Sequence, residues 1–166
     1  MKKYLNFGMA LVIIAVFIYG IMQKETLIAE GDVVYLALAP VDPRSIMQGD
    51  YMRLRYAIER QGIGFDDMPK ARAGFLRLKL DDERKAEFVG FDEGQALGAG
   101  EVLFKYSKVR SGINLQPDSF LFQEGLRTTY AVAKYGIFKV SGDEHLLVGL
   151  ADGDLVKIDP SAPSSD

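Results

Sequence analysis

Four arginines lie close together in the chain, and guanidinium groups at that density could bind an anion. They are Arg44, Arg53, Arg55 and Arg60. A guanidinium group is planar and offers several donors, so a carboxylate or a phosphate would be a suitable ligand. In the alternative interpretation, Arg53 and Arg55 serve the fold, because they pair with Asp50 and Glu59 or stack on Tyr51. The residue types alone leave both interpretations open.

The arginines belong to a segment with clear turn and strand signals. Asp42 precedes Pro43, which disfavours helix and sets a turn, and Gly49 can adopt a positive φ just before the next strand. The side chains then alternate between two faces. We expect Met52, Leu54, Tyr56 and Ile58 on the core face, and Tyr51, Arg53, Arg55, Ala57 and Glu59 on the opposite face. The arginine-bearing face is therefore predicted to be available to a ligand or a partner.

The N-terminus predicts a membrane anchor. Lys2 and Lys3 precede residues 7–22, a run of sixteen residues without charge. With its neighbours this run forms a helix of about 18 residues and about 27 Å, close to the thickness of the hydrocarbon core. The sequence Ile18-Tyr19-Gly20 makes a poor signal-cleavage site. We therefore expect an uncleaved signal anchor, with the N-terminus in the cytoplasm and the rest of the chain beyond the membrane.

The remaining chain predicts a mainly β domain of the α+β class, mostly antiparallel, with one helix near residues 124–135. Short apolar or alternating runs predict strands at 33–39, 75–80, 87–91, 101–108, 137–140, 145–150 and 155–158. In the predicted helix Leu126 and Tyr130 share an apolar face. Glu124 is expected to cap its start, and Gly136 to stop its end.

Composition excludes several classes of function. All 23 acidic residues follow Met22, and without Lys2 and Lys3 the 20 basic residues fall to 18, which gives the exported part a net charge of −5. We therefore expect no nucleic-acid partner. The chain has no cysteine and one histidine, His145, which we expect at a hairpin turn. No metal site and no cofactor is predicted from so few ligands.

Two separated motifs resemble one bacterial family. Residues 49–56 match the signature GDYxxLxY of the GDYXXLXY protein family, and the segment before them and a second motif are similar too. The residues that carry the resemblance are Asp42, Pro43, Arg44, Ser45, Gly49, Asp50, Tyr51, Arg53, Leu54, Tyr56, Phe122, Gln123, Glu124, Gly125, Tyr135 and Gly136. It spans residues 32–150 and implies an exported or membrane-anchored protein of uncharacterised function, often encoded beside a multi-pass membrane protein. The family brings no reaction with it.

A weaker resemblance would supply a reaction. A membrane anchor, a proline-flanked turn, Gly-Asp and a strand are similar to the signal peptidase family, in which a serine and a strand lysine catalyse hydrolysis. Here the spacing from Pro43 to Gly49 is one residue longer, and no serine occurs where that family has its own. Ser45 and Lys79 are the remaining candidates. A serine nucleophile also needs an adjacent base and an oxyanion site, which one sequence does not show.

We therefore expect an anchor at residues 1–23, one exported β domain at 24–160 and a disordered tail at 161–166. Residues 61–73 form either a loop or a short helix. The principal functional hypothesis is a periplasm-facing interaction domain at the bacterial inner membrane, with a multi-pass membrane protein as its partner. The alternative is a membrane-tethered serine hydrolase that uses Ser45 and Lys79.

Overall fold

The chain begins with a long helix that is apolar on all sides. A computed structural model of the protein describes residues 2–40, 47–48, 51–60, 69–110 and 112–160. In it, α1 (Lys2–Glu30) continues past the predicted end of the anchor at Gln23. The side chains of residues 6–26 are exposed, as is expected of a helix that contacts lipid on every side. The helix is long and apolar enough to cross a membrane.

Ten strands lie within the described residues. They are β1 (Asp32–Ala37), β2 (Met47–Gln48), β3 (Tyr51–Arg53), β4 (Ala73–Leu80), β5 (Ala86–Phe91), β6 (Glu101–Val109), β7 (Gly112–Leu115), β8 (Ser119–Leu121), β9 (Tyr135–Ser141) and β10 (Glu144–Ala151). A 3-10 turn (Ala57–Arg60) follows β3, and α2 (Arg127–Tyr130) follows β8. The predicted mainly β fold is confirmed.

The strands form three antiparallel sheets that join one another. Their orders are β1-β9-β10, β2-β3-β8 and β5-β4-β6-β7. Tyr35 in β1 forms a parallel bridge with Lys85, and its N–H donates to the carbonyl of Arg84 at 2.9 Å. Leu38, just after β1, bridges to Tyr56, just after β3. The end of β1 is therefore the place where all three sheets meet.

Aromatic side chains pack between the β1-β9-β10 sheet and the β5-β4-β6-β7 sheet. The rings of Phe104 in β6 and Phe138 in β9 pack edge to face with their centroids 5.0 Å apart. The ring of Tyr56 also packs on Phe138, with its centroid 5.8 Å away. All three side chains are fully buried. Removing a buried aromatic ring of this kind costs about 3–5 kcal/mol, so the cluster is a large part of what stabilises the domain.

The helix after β8 is much shorter than the periodicity predicts. It ends at Tyr130, and the chain is extended again from Lys134, whose N–H donates to the carbonyl of Ala151 at 2.8 Å. Gly136 lies in β9, so the prediction that it stops the helix is wrong. Pairing of β9 with β1 and β10 satisfies its backbone on both edges, and this tertiary pairing overrides the local helical preference.

His145 lies within β10, where it is half-buried against the core, instead of occupying the hairpin turn. Its ring stacks on Phe104 with centroids 4.4 Å apart, and its Nε2 lies 3.2 Å from the carbonyl oxygen of Gln116. A carbonyl only accepts, so Nε2 carries the proton. Nδ1 is buried and has no partner among the described residues. Burial lowers the pKa of His145, and the nearby cations Lys105 and Lys24 act in the same direction.

This lowered pKa predicts that acid weakens the fold. The unfolded chain binds a proton at His145 near pH 6.5, whereas the folded chain resists it, so the stability present above that pH is lost as the pH falls. We expect the free energy of unfolding of the full chain in non-ionic detergent to fall between pH 7.5 and 5.5, when urea unfolding is followed by tyrosine fluorescence. His145→Phe serves as the control. Its slope should be flatter, because all carboxylates are common to both proteins, and equal slopes would contradict the assignment.

Candidate functional site

The structure describes only part of the first motif. Asp42, Pro43, Arg44, Ser45, Gly49 and Asp50 lie outside the described residues. From Tyr51 onward the predicted alternation is confirmed. The core-face residues Met52, Leu54, Tyr56 and Ile58 are all buried. Tyr51, Arg53 and Arg55 are exposed. Both arginines therefore lie on the surface.

The last tyrosine of the first motif has a structural role. Tyr56 is fully buried, and its hydroxyl donates to the carbonyl oxygen of Pro117 at 2.7 Å. Burial raises the pKa of Tyr56, and the negative charge of Glu59 raises it further. The phenol therefore stays protonated and keeps its donor. This bond ties the end of the first motif to the segment that leads into β8.

Glu59 stabilises the region around Tyr56 by accepting two backbone hydrogen bonds. Its Oε1 accepts the N–H of Leu115 in β7 at 2.8 Å, and its Oε2 accepts the N–H of Tyr56 at 3.4 Å. Burial raises the pKa of Glu59, while the two N–H bonds and the positive charge of Arg55 lower it. Backbone donors hold the carboxylate, and exposed Arg55 acts on it through its charge without forming an ion pair within the described part of the chain.

The second motif forms a turn and the start of a strand. Gly125 adopts φ +87°, a conformation that favours glycine, and the N–H of Leu126 donates to the carbonyl of Gln123 at 3.2 Å. Leu126 occupies the N-cap position of α2 without a side-chain hydrogen bond, and Glu124 is exposed. The prediction that Glu124 caps this helix is therefore wrong, because the helix begins later than the sequence indicates.

Gly136 of the second motif is buried beside the last tyrosine of the first motif. A Cβ at this position would lie 3.1 Å from the ring of Phe138, 3.2 Å from Leu147 and 3.5 Å from the ring of Tyr56. The missing side chain thus leaves room for Phe138 and Leu147, and the Tyr56 ring lies at ordinary contact distance. Its neighbour Tyr135 is half-buried, and the Lys85 ammonium lies 5.8 Å from the centre of its ring.

A cleft of about 420 Å³ opens where the ends of β1, β3 and α2 meet. We call it the cationic cleft. Its lining residues are Ala37, Leu38, Ala39, Pro40, Met52, Arg53, Leu54, Arg55, Tyr130, Ala131, Ala133, Lys134 and Tyr135. Arg53, Arg55 and Lys134 supply positive charge, and no described lining residue is acidic. The arrangement suits a ligand with an apolar body and an anionic group.

The sequence singles out Arg53, Leu54, Arg55 and Tyr135 but does not indicate the rest of the cationic cleft. Leu38 and Lys134 meet because the N–H of Leu38 donates to the carbonyl of Lys134 at 2.8 Å. The N–H of Ala39 similarly donates to the carbonyl of Arg55 at 2.7 Å. These hydrogen bonds join parts of the chain that are distant in sequence, so no local sequence pattern predicts them. Gln123, Glu124 and Gly125 do not line the cleft.

The geometry offers no support for the candidate catalytic pair. Lys79 is exposed on β4 and lies in register with Glu87 and Glu101 on the neighbouring strands. Ser45 lies outside the described residues, so their separation stays untested. Among the residues that the structure describes, no group of three or more His, Cys, Asp or Glu side chains could hold a metal ion.

The buried tyrosine yields a test of its structural role. Tyr56→Phe removes the hydroxyl and leaves the Pro117 carbonyl unpaired, so we expect the free energy of unfolding to fall by about 1 kcal/mol. Urea unfolding of the full chain in detergent measures the change. Tyr51→Phe, on the exposed face, is the matched control and should stay within about 0.5 kcal/mol of the wild type. Equal effects of the two substitutions would show that the Tyr56 hydroxyl does not hold the fold.

Comparison with known proteins agrees with the motifs. The family model described as GDYXXLXY protein matches residues 13–150, which is most of the chain. The match includes α1 from its middle onward and every strand described above. No curated protein and no solved structure matches the chain. The protein therefore belongs to the GDYXXLXY protein family.

Proposed function

We propose that this protein is a membrane-anchored accessory domain that binds an acidic, partly apolar segment of a multi-pass membrane protein in its cationic cleft. The domain faces the periplasm of a bacterium, and α1 crosses the inner membrane with its N-terminus in the cytoplasm. The observation that carries the proposal is the cationic cleft itself. Arg53 and Arg55 border an apolar lining in which no described residue is acidic. The third cation, the Lys134 ammonium, lies beside the turn of residues 152–154.

The exposure of the two arginines supports a role in binding. Arg53 at the end of β3 and Arg55 just after it are both exposed, and neither forms an ion pair within the described part of the chain. Their neighbours in sequence, Met52 and Leu54, point into the core and supply apolar surface to the cleft. A guanidinium group beside apolar surface binds a carboxylate more strongly than one in open water, because part of the solvent is excluded.

The size and composition of the cleft favour a peptide segment. A volume of about 420 Å³ lies within the range of sites that bind small molecules or a few side chains. Buried Ala39, Met52, Leu54 and Tyr130 offer an apolar surface for one such side chain, while the two arginines attract carboxylates. A segment that combines an aliphatic or aromatic residue with Asp or Glu satisfies both features.

The membrane side of the proposal rests on α1 and on the charges that flank it. Lys2 and Lys3 precede the apolar run, and by the positive-inside rule they favour a cytoplasmic N-terminus. A protein anchored in the bilayer diffuses in the same plane as other membrane proteins, and this raises the effective concentration of a membrane-embedded partner. Even a modest affinity of the cleft for the partner segment is then sufficient for binding.

Charge reversal in the cleft tests the proposal. A photoreactive amino acid replaces exposed Ala131 at the rim, and intact cells are irradiated. We expect a cross-link to a multi-pass membrane protein, and we expect Arg53→Glu with Arg55→Glu to reduce its yield at least tenfold. Arg72→Glu with Arg110→Glu is the control, since both arginines are exposed outside the cleft and the net charge changes equally.

Three outcomes would overturn this function. In the first, the cross-link keeps its yield in the Arg53→Glu and Arg55→Glu protein. In the second, the control substitutions at Arg72 and Arg110 reduce the yield equally. In the third, all cross-links are to soluble proteins. If the partner segment contains acidic residues, their reversal to lysine should restore cross-linking to the Arg53→Glu and Arg55→Glu protein. That rescue separates a direct ion pair from a general loss of folding.

A further inference from the structure

The end of α1 is packed into the β domain without a flexible connection. Leu27 is only 4% exposed, and the Lys24 ammonium lies 2.7 Å from a carboxylate oxygen of Glu144. The Lys139 ammonium donates to the carbonyl of Gly31 at 2.8 Å, and the N–H of Gly31 donates to the carbonyl of Leu27 at 3.0 Å. Helix and sheet thus contact each other on both sides of their junction.

Gly31 is the only residue between α1 and β1, and its surroundings leave no space for a side chain. A Cβ at this position would lie 2.4 Å from the carbonyl oxygen of Leu27 and 3.2 Å from that of Val140. A single residue in such a confined position cannot act as a hinge. Flexible tethers need several solvated residues, and here the connection is part of the packed structure.

The hairpin turn of residues 141–144 lies beside the part of α1 that emerges from the membrane. The 20 residues between Lys3 and Lys24 carry no charge, and as a helix they span about 30 Å, the thickness of the hydrocarbon core. Lys24 therefore lies at the bilayer surface, and its ion-pair partner Glu144 lies there with it. A groove between the helix and the turn is lined by Tyr19 and Met22 on one side and by Ser141 and Asp143 on the other.

The direction of the strands places the cationic cleft at the opposite end of the domain. Val140 in β9 lies beside Gly31, whereas Glu144 lies beside Lys24, so β9 ends by running back along α1 toward the membrane. Its antiparallel neighbour β1 runs away from the membrane and ends at the cleft residue Ala37. Six residues at about 3.3 Å each put the cleft about 20 Å farther out than the end of the helix.

We propose that α1 and the β domain form one rigid body, which rests on the bilayer surface through the hairpin turn of residues 141–144 and opens the cationic cleft away from the membrane. This orientation deepens the proposed function, because it specifies the partner. A segment that reaches the cleft extends at least about 20 Å beyond the membrane, which takes at least about six extended residues. A short loop between two membrane helices does not suffice.

Single-cysteine labelling tests the orientation without any partner. The chain has no native cysteine, so Asp143→Cys at the turn and Asp154→Cys beside Lys134 each accept one fluorophore. Both residues are exposed, so labelling leaves the core intact. The full chain is placed in lipid nanodiscs that contain a headgroup-labelled quencher lipid. We expect quenching at position 143 to exceed that at position 154 severalfold, and equal quenching or the reverse order would overturn the proposal.

A linker insertion tests the rigid connection. Eight Gly and Ser residues placed between Glu30 and Gly31 should abolish the difference between the two labelled positions, because the domain then reorients freely. Retention of the full difference would show that α1 does not hold the orientation and would overturn the rigid-body assignment. Circular dichroism of the insertion protein verifies that its β domain is still folded.

The predicted length of the partner segment is measured separately, so the proposed orientation and the proposed function can be told apart. In the cross-linking experiment, the photoreactive group at position 131 should attach to a partner residue at least about six positions from the nearest membrane helix. Attachment within a membrane helix, or directly next to one, would overturn the orientation while it left binding in the cleft established. Failure of cross-linking with normal quenching would overturn the proposed function alone.

Discussion

The fold depends on the burial of Tyr56, where the three sheets meet. Its backbone bridges to Leu38 after β1, its ring packs on Phe138 in β9, and its hydroxyl donates to Pro117 ahead of β8. Glu59 then connects the N–H of Tyr56 to β7. A buried phenol with a satisfied hydroxyl contributes both apolar area and a directional bond. Tyr56 and its neighbour Glu59 thereby link β9, β7 and the segment ahead of β8, and the cationic cleft lies close by, where the ends of β1 and β3 meet.

The signature that names the family is therefore in part a folding device. Leu54 and Tyr56 are core residues, and Gly136 in the second motif is buried beside the Tyr56 ring. Tyr51 differs, because it is 37% exposed on β3 opposite Leu121, which is also exposed. The residues between the signature positions, Arg53 and Arg55, line the cleft. Structural and surface roles thus alternate along a single extended segment.

Local patterns predict the alternating segment and the β9–β10 hairpin because both depend on neighbours in sequence. Alternation after Tyr51 requires only a strand with one buried face, and Gly142-Asp143 marks the hairpin turn. The same reasoning fails for Gly136 and for the helix near Glu124. There the pairing of Lys134 with Ala151 determines the conformation, and this hydrogen bond joins two parts of the chain that no local window contains. The cleft is unpredictable for the same reason, since Leu38 and Lys134 meet only in the folded sheet.

The continuity of α1 with the packed residue Gly31 has a geometric consequence within the membrane. An α-helix turns by about 100° and rises by about 1.5 Å with each residue, so the azimuth of every lipid-facing side chain relative to the domain is set by its distance in sequence from Gly31. In the proposed rigid body, residues such as Phe17 and Tyr19 thus each have a fixed azimuth relative to the β domain. Under that proposal, the side of α1 on which a partner's membrane helix packs also determines the side from which the partner approaches the cleft.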